Sequence, residues 1–291
     1  MRRVVVGILA AGVSLVGANS AWATFPGQDG RIAYSYEDGI YTVNPDGTDV
    51  RFLAKGQSPS WSADGRLLTF ERDGPLGGAA VYTMWPDGTH QRRVATGLTP
   101  SFSPDRRRVI FVDREGIASA RLDGTGYKVL APGGLRQPEY SPDGTQIVYV
   151  NFAPRGIWLM RSDGSNQHAV TQGHDSDPDF RPDGRRIVFH RCAGDDGRHC
   201  IDDLVRVVAL NGSNISGVRC ASIQPTYSPL GNTVAYAKPF GQGPDLDPLG
   251  ANIWTTRVTP PCAADRPVTH YAQDPGHGFA SNPNWQPVPA G

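Results

Sequence analysis

The 291-residue chain carries 28 basic and 28 acidic groups, with 35 glycines and 25 prolines. Balanced charge gives no electrostatic pull toward nucleic acid or anionic lipid, which argues against a nucleic-acid-binding or membrane-surface protein. Abundant turn formers among regularly recurring aromatic and β-branched residues fit many short strands, and speak against long helices or a disordered chain.

The first element in chain order is a leader. Arg2 and Arg3 open it, Val4 to Val16 is an uncharged and mostly apolar run, and Ala21-Trp22-Ala23 places small residues at the −3 and −1 positions of a cleavage site. This layout predicts a secretory signal peptide over 1–23, with an uncleaved anchor as the alternative. The run is short for a membrane span, and no later apolar stretch reaches that length. The mature chain is therefore expected to be soluble and secreted, extracellular or periplasmic. Its 268 residues lose two arginines and no acid, leaving 26 basic and 28 acidic groups.

From Phe25 onward the chain repeats. Six times a polar residue is followed by Pro, one further residue and an aromatic: Ser58 to Trp61, Thr99 to Phe102, Gln137 to Tyr140, Asp177 to Phe180, Gln224 to Tyr227 and Asn282 to Trp285. The aromatics lie 41, 38, 40, 47 and 58 residues apart. Three intervals match a four-stranded propeller blade and two leave room for insertions. Asp64-Gly65, Asp143-Gly144 and Asp183-Gly184 supply tight turns with residues suited to positive φ, and Asp105-Arg106 and Gly231-Asn232 are weaker versions. A period-2 strand follows, as in Ile32/Tyr34, Leu68/Phe70 and Ile147/Tyr149. A third strand comes next, as in Ile40 to Val43 and Ile157 to Met160. A second turn, Asp46-Gly47-Thr48 in the first copy and Asn211-Gly212-Ser213 in the fifth, leads to a fourth strand.

This succession of Pro, aromatic, Ser-Pro-Asp-Gly, apolar strand, Ile-Tyr strand and Asp-Gly-Ser/Thr resembles the TolB-like propeller repeat, a WD40-like family, from about Phe25 to Pro287. The resemblance implies an all-β propeller over 24–291 as a single domain, without the separate N-terminal domain of TolB. Counting strands gives six blades. The mature chain begins on a second strand and ends on a first one, so the C-terminal strand is expected to join the N-terminal three and close the ring.

Alternating strand direction sorts the loops onto two faces. The short Asp-Gly turns share one face. The insertions Arg72 to Ala80, Arg191 to Asp203, Lys238 to Ala251 and His270 to Ser281 share the other, where binding residues on a rigid scaffold are usually found. That face also collects His174, Asp175, Asp177, Asp179, His190, Asp195, Asp196, His199, Asp202, Asp203, His270 and His277. Around the tunnel the residues flanking each Pro all offer oxygen, and Glu139, Asp177 and Asp179 come from adjacent blades. An oxygen-only, partly anionic ring suits a hard cation such as Ca²⁺ or an ordered water column. Otherwise no cofactor is expected.

Four cysteines in an exported chain, with no C-x-x-C pair, read as two disulfides. Cys192 and Cys200 are expected to staple one loop, which leaves Cys220 and Cys262 for the other. Asn211-Gly-Ser and Asn214-Ile-Ser match a glycosylation acceptor in a secreting eukaryote. Nucleophile-elbow, zincin and phosphate-loop signatures are missing from the sequence. The leading functional expectation is an exported, non-enzymatic interaction module that acts as a monomer and binds a protein or glycan, not nucleic acid or membrane, through its loop-rich face. The alternative is a secreted carbohydrate-active lyase or hydrolase. There Glu139, Asp177 and Asp179 would hold a cation and His174 or His190 would transfer a proton.

Overall fold

A computed structural model describes residues 25, 27–74, 77–192, 194, 203–220, 222–240, 250–258, 265–270 and 279–289, with only the backbone of 218–220. The signal peptide expected over 1–23 lies outside them, as do most of the insertions Arg191 to Asp203, Lys238 to Ala251 and His270 to Ser281.

The strands run in chain order as follows. Blade one holds β1 (Gln28–Tyr36), β2 (Gly39–Val43) and β3 (Arg51–Lys55); blade two holds β4 (Gln57–Trp61), β5 (Leu68–Asp73), β6 (Ala79–Met84) and β7 (Arg92–Thr96). Blade three holds β8 (Leu98–Phe102), β9 (Arg108–Val112), β10 (Gly116–Arg121) and β11 (Lys128–Pro132). Blade four holds β12 (Leu135–Tyr140), β13 (Gln146–Phe152), β14 (Arg155–Arg161) and β15 (His168–Ala169). Blade five holds β16 (His174–Phe180), β17 (Arg186–Cys192), β18 (Asp203–Ala209) and β19 (Ser216–Cys220). Blade six holds β20 (Ile223–Tyr227), β21 (Thr233–Phe240), β22 (Gly250–Arg257) and β23 (Arg266–Pro267), and β24 (Ala280–Val288) ends the chain. Each blade is a four-stranded antiparallel sheet, and in the first the order is β24-β1-β2-β3. The C-terminal strand thus lies innermost in blade one, with Gln28 opposite Val288 and Tyr36 opposite Ala280.

The packing follows from stacking sheets face to face around a ring. A middle strand is covered on both sides, so its residues are apolar at successive positions: Ile32, Ala33 and Tyr34 are all buried. The outer strands face solvent and read as polar, as in Arg51 and Lys55 of β3. Six apolar clusters fill the interfaces between neighbouring blades. The repeated aromatics Trp61, Phe102, Tyr140, Phe180, Tyr227 and Trp285 are buried within or beside them, where one large side chain contributes about 1.5–3 kcal/mol.

The Asp-Gly turns differ in detail from the expectation. Only the glycine takes positive φ, at +65° for Gly65 and +70° for Gly144. The aspartate acts through its side chain instead. Asp64 Oδ1 accepts from Ser62 Oγ at 2.8 Å and from the Arg66 N–H at 3.2 Å. Asp143 repeats the arrangement with Ser141 and Thr145. Asp46, Asp87, Asp123 and Asp163 tie their own hairpins through the Thr or Ser two positions on, bonds that hold their pKa values below the usual carboxylate range.

Candidate binding site at the tunnel mouth

The six inner strands deliver their Pro residues and both flanking side chains to a central cavity of about 140 Å³. The residue before each Pro sits in the left-handed region, with φ of +52° at Ser58, +46° at Thr99, +52° at Gln137, +51° at Asp177, +53° at Gln224 and +49° at Asn282. Proline disfavours the right-handed helical region for its predecessor, and a β-bulge falls at each of these places. The bulge turns the backbone N–H of this residue toward the preceding blade. Such a conformation costs on the order of 1–3 kcal/mol for a non-glycine residue, and partners across the blade interface offset it. Ser35 Oγ accepts from the Ser58 N–H at 3.0 Å, Gln137 Oε1 from Asp177 at 3.0 Å and Gln224 Oε1 from Asn282 at 3.0 Å. Glu71 accepts from the Thr99 N–H and, at 3.1 Å, from Ser58 Oγ. Burial pushes the Glu71 carboxyl up, and those two hydrogen bonds pull against it. Glu71 ends a middle strand of blade two and carries no motif, so the repeat gave no reason to single it out.

One step deeper, the residue after each Pro forms a second ring. Asn284 Oδ1 accepts from the Trp61 N–H at 2.9 Å, Glu139 from the Phe180 N–H, and Asp179 Oδ2 from the Tyr227 N–H at 2.6 Å. In all three cases a long acceptor on one blade reaches the backbone of the next. Glu139 also hydrogen-bonds Asp179. Desolvation, together with the negative charge and acceptor oxygen of Asp179, raises its pKa well above the usual value. Burial and the neighbouring charge both favour the neutral form of the carboxyl. Below this ring a chamber of about 20 Å³ is lined by Trp61, Glu139 and Trp285, with Phe25 against it. Phe25 is buried and packs with Tyr140, so it stoppers the tunnel at the turn face.

Glu139, Asp177 and Asp179, the expected cation ligands, all line the central cavity. Glu139 and Asp179 are spent on each other and on backbone N–H groups. Asp177 belongs to the outer ring, where the Gln137 side-chain amide donates to its Oδ1. Among the described residues no three of His, Cys, Asp and Glu are placed to hold a metal ion.

What blade five does bring together lies at the rim. His190, on β17, puts Nε2 2.6 Å from Asp203 Oδ1 on β18 and Nδ1 3.0 Å from Ser176 Oγ on β16. The Ser176 hydroxyl donates to Asp177 Oδ2 at 2.7 Å, and that oxygen is 4.0 Å from His190 Nδ1. Four side chains from three adjacent strands thus form one polar line, with His190 12% and Asp203 27% exposed. His174 is exposed beside it, and the Arg155 guanidinium lies 2.9 Å from its Nε2. Asp175 is buried and bound by Arg191, which donates from Nε and Nη2 at 2.7 Å each. Ser176 carried no motif and was invisible in the sequence. His190 and Asp203 were in view, but their contact required the β17–β18 register. Asp195, Asp196, His199, Asp202 and His277 lie outside the described residues. Cys192 is disulfide-bonded; Cys200, Cys262 and the side chain of Cys220 also lie outside them.

A ring of six stacked sheets around a polar central cavity defines a six-bladed β-propeller. No family model matches the sequence, and no curated protein matches it. Solved structures do. TolB from Acinetobacter baumannii is similar with a TM-score of 0.71 at 18% identity, over 89% of this chain and 67% of that one. A putative TolB from Agrobacterium tumefaciens gives 0.61 at 21%, over 74% and 88%. A chain of the nidogen/laminin complex gives 0.66 at 10%, over 89% and 99%. The propeller fold is therefore the TolB-like one that the repeats resemble.

Proposed function

We propose that the mature chain is an exported binding module whose loop face, around the tunnel mouth on blade five, contacts a protein or a glycan. One observation carries the reading. The inner-ring acids are consumed in tying blades together, whereas the Ser176–Asp177–His190–Asp203 line stays partly exposed at the rim. A rigid ring presenting hydrogen-bonding groups at one mouth is built for recognition, and the similarity to a nidogen/laminin chain supports a contact-making role for such a propeller. Export rests on the leader layout of residues 1–23. The test is capture from the native extracellular milieu, together with a glycan array, using mature protein. A rim variant combining His174→Ala, Ser176→Ala and His190→Ala should lose the partner. A turn-face variant combining Asp46→Asn, Asp87→Asn and Asp163→Asn should keep it. Loss in the turn-face variant alone would put the site on the wrong face.

A second reading, a secreted carbohydrate-active enzyme, is favoured by the hydrogen-bonded sequence Asp203–His190–Ser176. It places an imidazole between a carboxylate and a hydroxyl, the setting of a proton-transfer group. An oligogalacturonate lyase from Vibrio parahaemolyticus shares the fold at a TM-score of 0.52 and 10% identity. Release of new reducing ends from acidic polysaccharide, abolished in His190→Ala, would favour this reading over simple binding.

A further inference from the structure

A second large cavity lies away from the tunnel mouth. A cleft of about 1000 Å³ runs from the loop face down the side of the ring between blades two and three. A second groove of about 470 Å³, toward blade one, meets it at Ala79 and Leu98. Together they make an elongated trough, the shape of a site for an extended chain and not for a compact small molecule.

The chemistry of the cleft is specific. Arg93 on β7, Arg114 in the β9–β10 turn and Arg136 on β12 converge on it from three blades. None has a carboxylate partner among the described residues. Arg93 donates only to Thr96 Oγ1, at 2.7 Å, and Arg136 lies 5.8 Å from the Phe152 ring centre. Of the two acids on the same wall, Asp113 is already used. Its Oδ2 accepts from the Tyr127 hydroxyl at 2.7 Å, and its Oδ1 accepts from the Glu115 N–H at 2.9 Å. That leaves Glu115 against three guanidiniums. The bond to Asp113 also fixes the Tyr127 ring, which is 49% exposed. A pinned, half-exposed aromatic is a ready surface for the apolar face of a sugar, and guanidinium forks match carboxylate geometry. The rim is bordered by glycines that face open space. A Cβ on Gly77, Gly78, Gly133 or Gly134 would meet nothing within 4 Å.

We propose that this cleft binds an acidic oligosaccharide, its carboxylates held by Arg93, Arg114 and Arg136 and one ring stacked on Tyr127. The site is separate from the tunnel mouth and does not rest on the reading given for it. An acidic peptide is the competing occupant, disfavoured because the fixed ring offers a flat platform in place of a side-chain pocket.

Isothermal titration of the mature chain tests the assignment with tetramannuronate, its uncharged counterpart mannotetraose, and a hexaglutamate peptide. Tetramannuronate should bind, more weakly as salt is added, and mannotetraose should not. Arg114→Gln and Arg136→Gln should each weaken binding about tenfold, as expected for loss of one charge-assisted contact, with melting temperatures unchanged because both side chains are exposed. Tyr127→Ala should lose binding, and Asp46→Asn, on the turn face and outside both grooves, should bind as the wild type does. Equal binding of mannotetraose, tighter binding of hexaglutamate, arginine variants that match the wild type, loss in Asp46→Asn, or no binding of tetramannuronate would each overturn the proposal.

Discussion

The Glu139 carboxyl of blade four is hydrogen-bonded to the Asp179 carboxyl of blade five, and each of the two also accepts a backbone N–H from the blade that follows it. Two acids on adjacent strands would repel each other if both were ionised. Holding one neutral turns the pair into a link between three successive blades.

That link has a pH signature. The folded-state pKa of Glu139 is raised above its unfolded value. Its contribution to stability is therefore complete below the ordinary glutamate range and is lost as pH rises through the folded pKa. Glutamine can donate to Asp179 and accept from Phe180 without titrating. The melting-temperature advantage of wild type over Glu139→Gln should thus shrink steadily from about pH 4 upward. An advantage that grows with pH would mean that Glu139 is ionised in the folded ring.

Asn284→Ala should cost about 1–3 kcal/mol, because it leaves the buried N–H of Trp61 without its acceptor. Ser60, the residue after Pro on blade two, makes no such tie among the described residues, and Ser60→Ala should change stability by less than about 0.5 kcal/mol. Urea unfolding of the two variants side by side measures the difference.

Much of this architecture was legible in the chain. The Pro-x-aromatic spacing marked all six inner strands because each aromatic must fill an interface between blades, a demand that recurs with every repeat. The closing of blade one by β24 followed from counting strands. The site was less legible. Ser58, Thr99 and Asp177 show no local reason for positive φ, since the N–H partner that offsets it lies on another blade. The partners of Asp179, the Tyr227 N–H and Glu139, are set by ring geometry and not by sequence distance. Glu71 and Ser176 were overlooked for the same reason.

Deleting residues 281–291 should abolish cooperative folding. The segment supplies nearly all of β24, the innermost strand of blade one, and removes Trp285, which is buried at the interface with blade six. Circular dichroism melts check this. A truncated chain that melts within a few degrees of the intact one would show that the ring closes without β24.

Cys192 is expected to pair with Cys200, closing a short loop worth roughly 2–3 kcal/mol on loop-entropy grounds. Non-reducing peptide mapping should recover the Cys192–Cys200 peptide. Recovery of Cys192 joined to Cys262 would refute the pairing.

The protonation state of Glu139 decides whether the tunnel-mouth acids tie blades or gather a ligand. It can be read directly by ¹³C NMR titration of the side-chain carboxyl in the folded mature chain. Glu139 should remain protonated well above the ordinary glutamate range, with a midpoint unmoved by added Ca²⁺. A carboxyl that titrates near its ordinary value of 4.5, or whose midpoint falls when Ca²⁺ is added, would contradict the inter-blade link and restore the ring as a cation site.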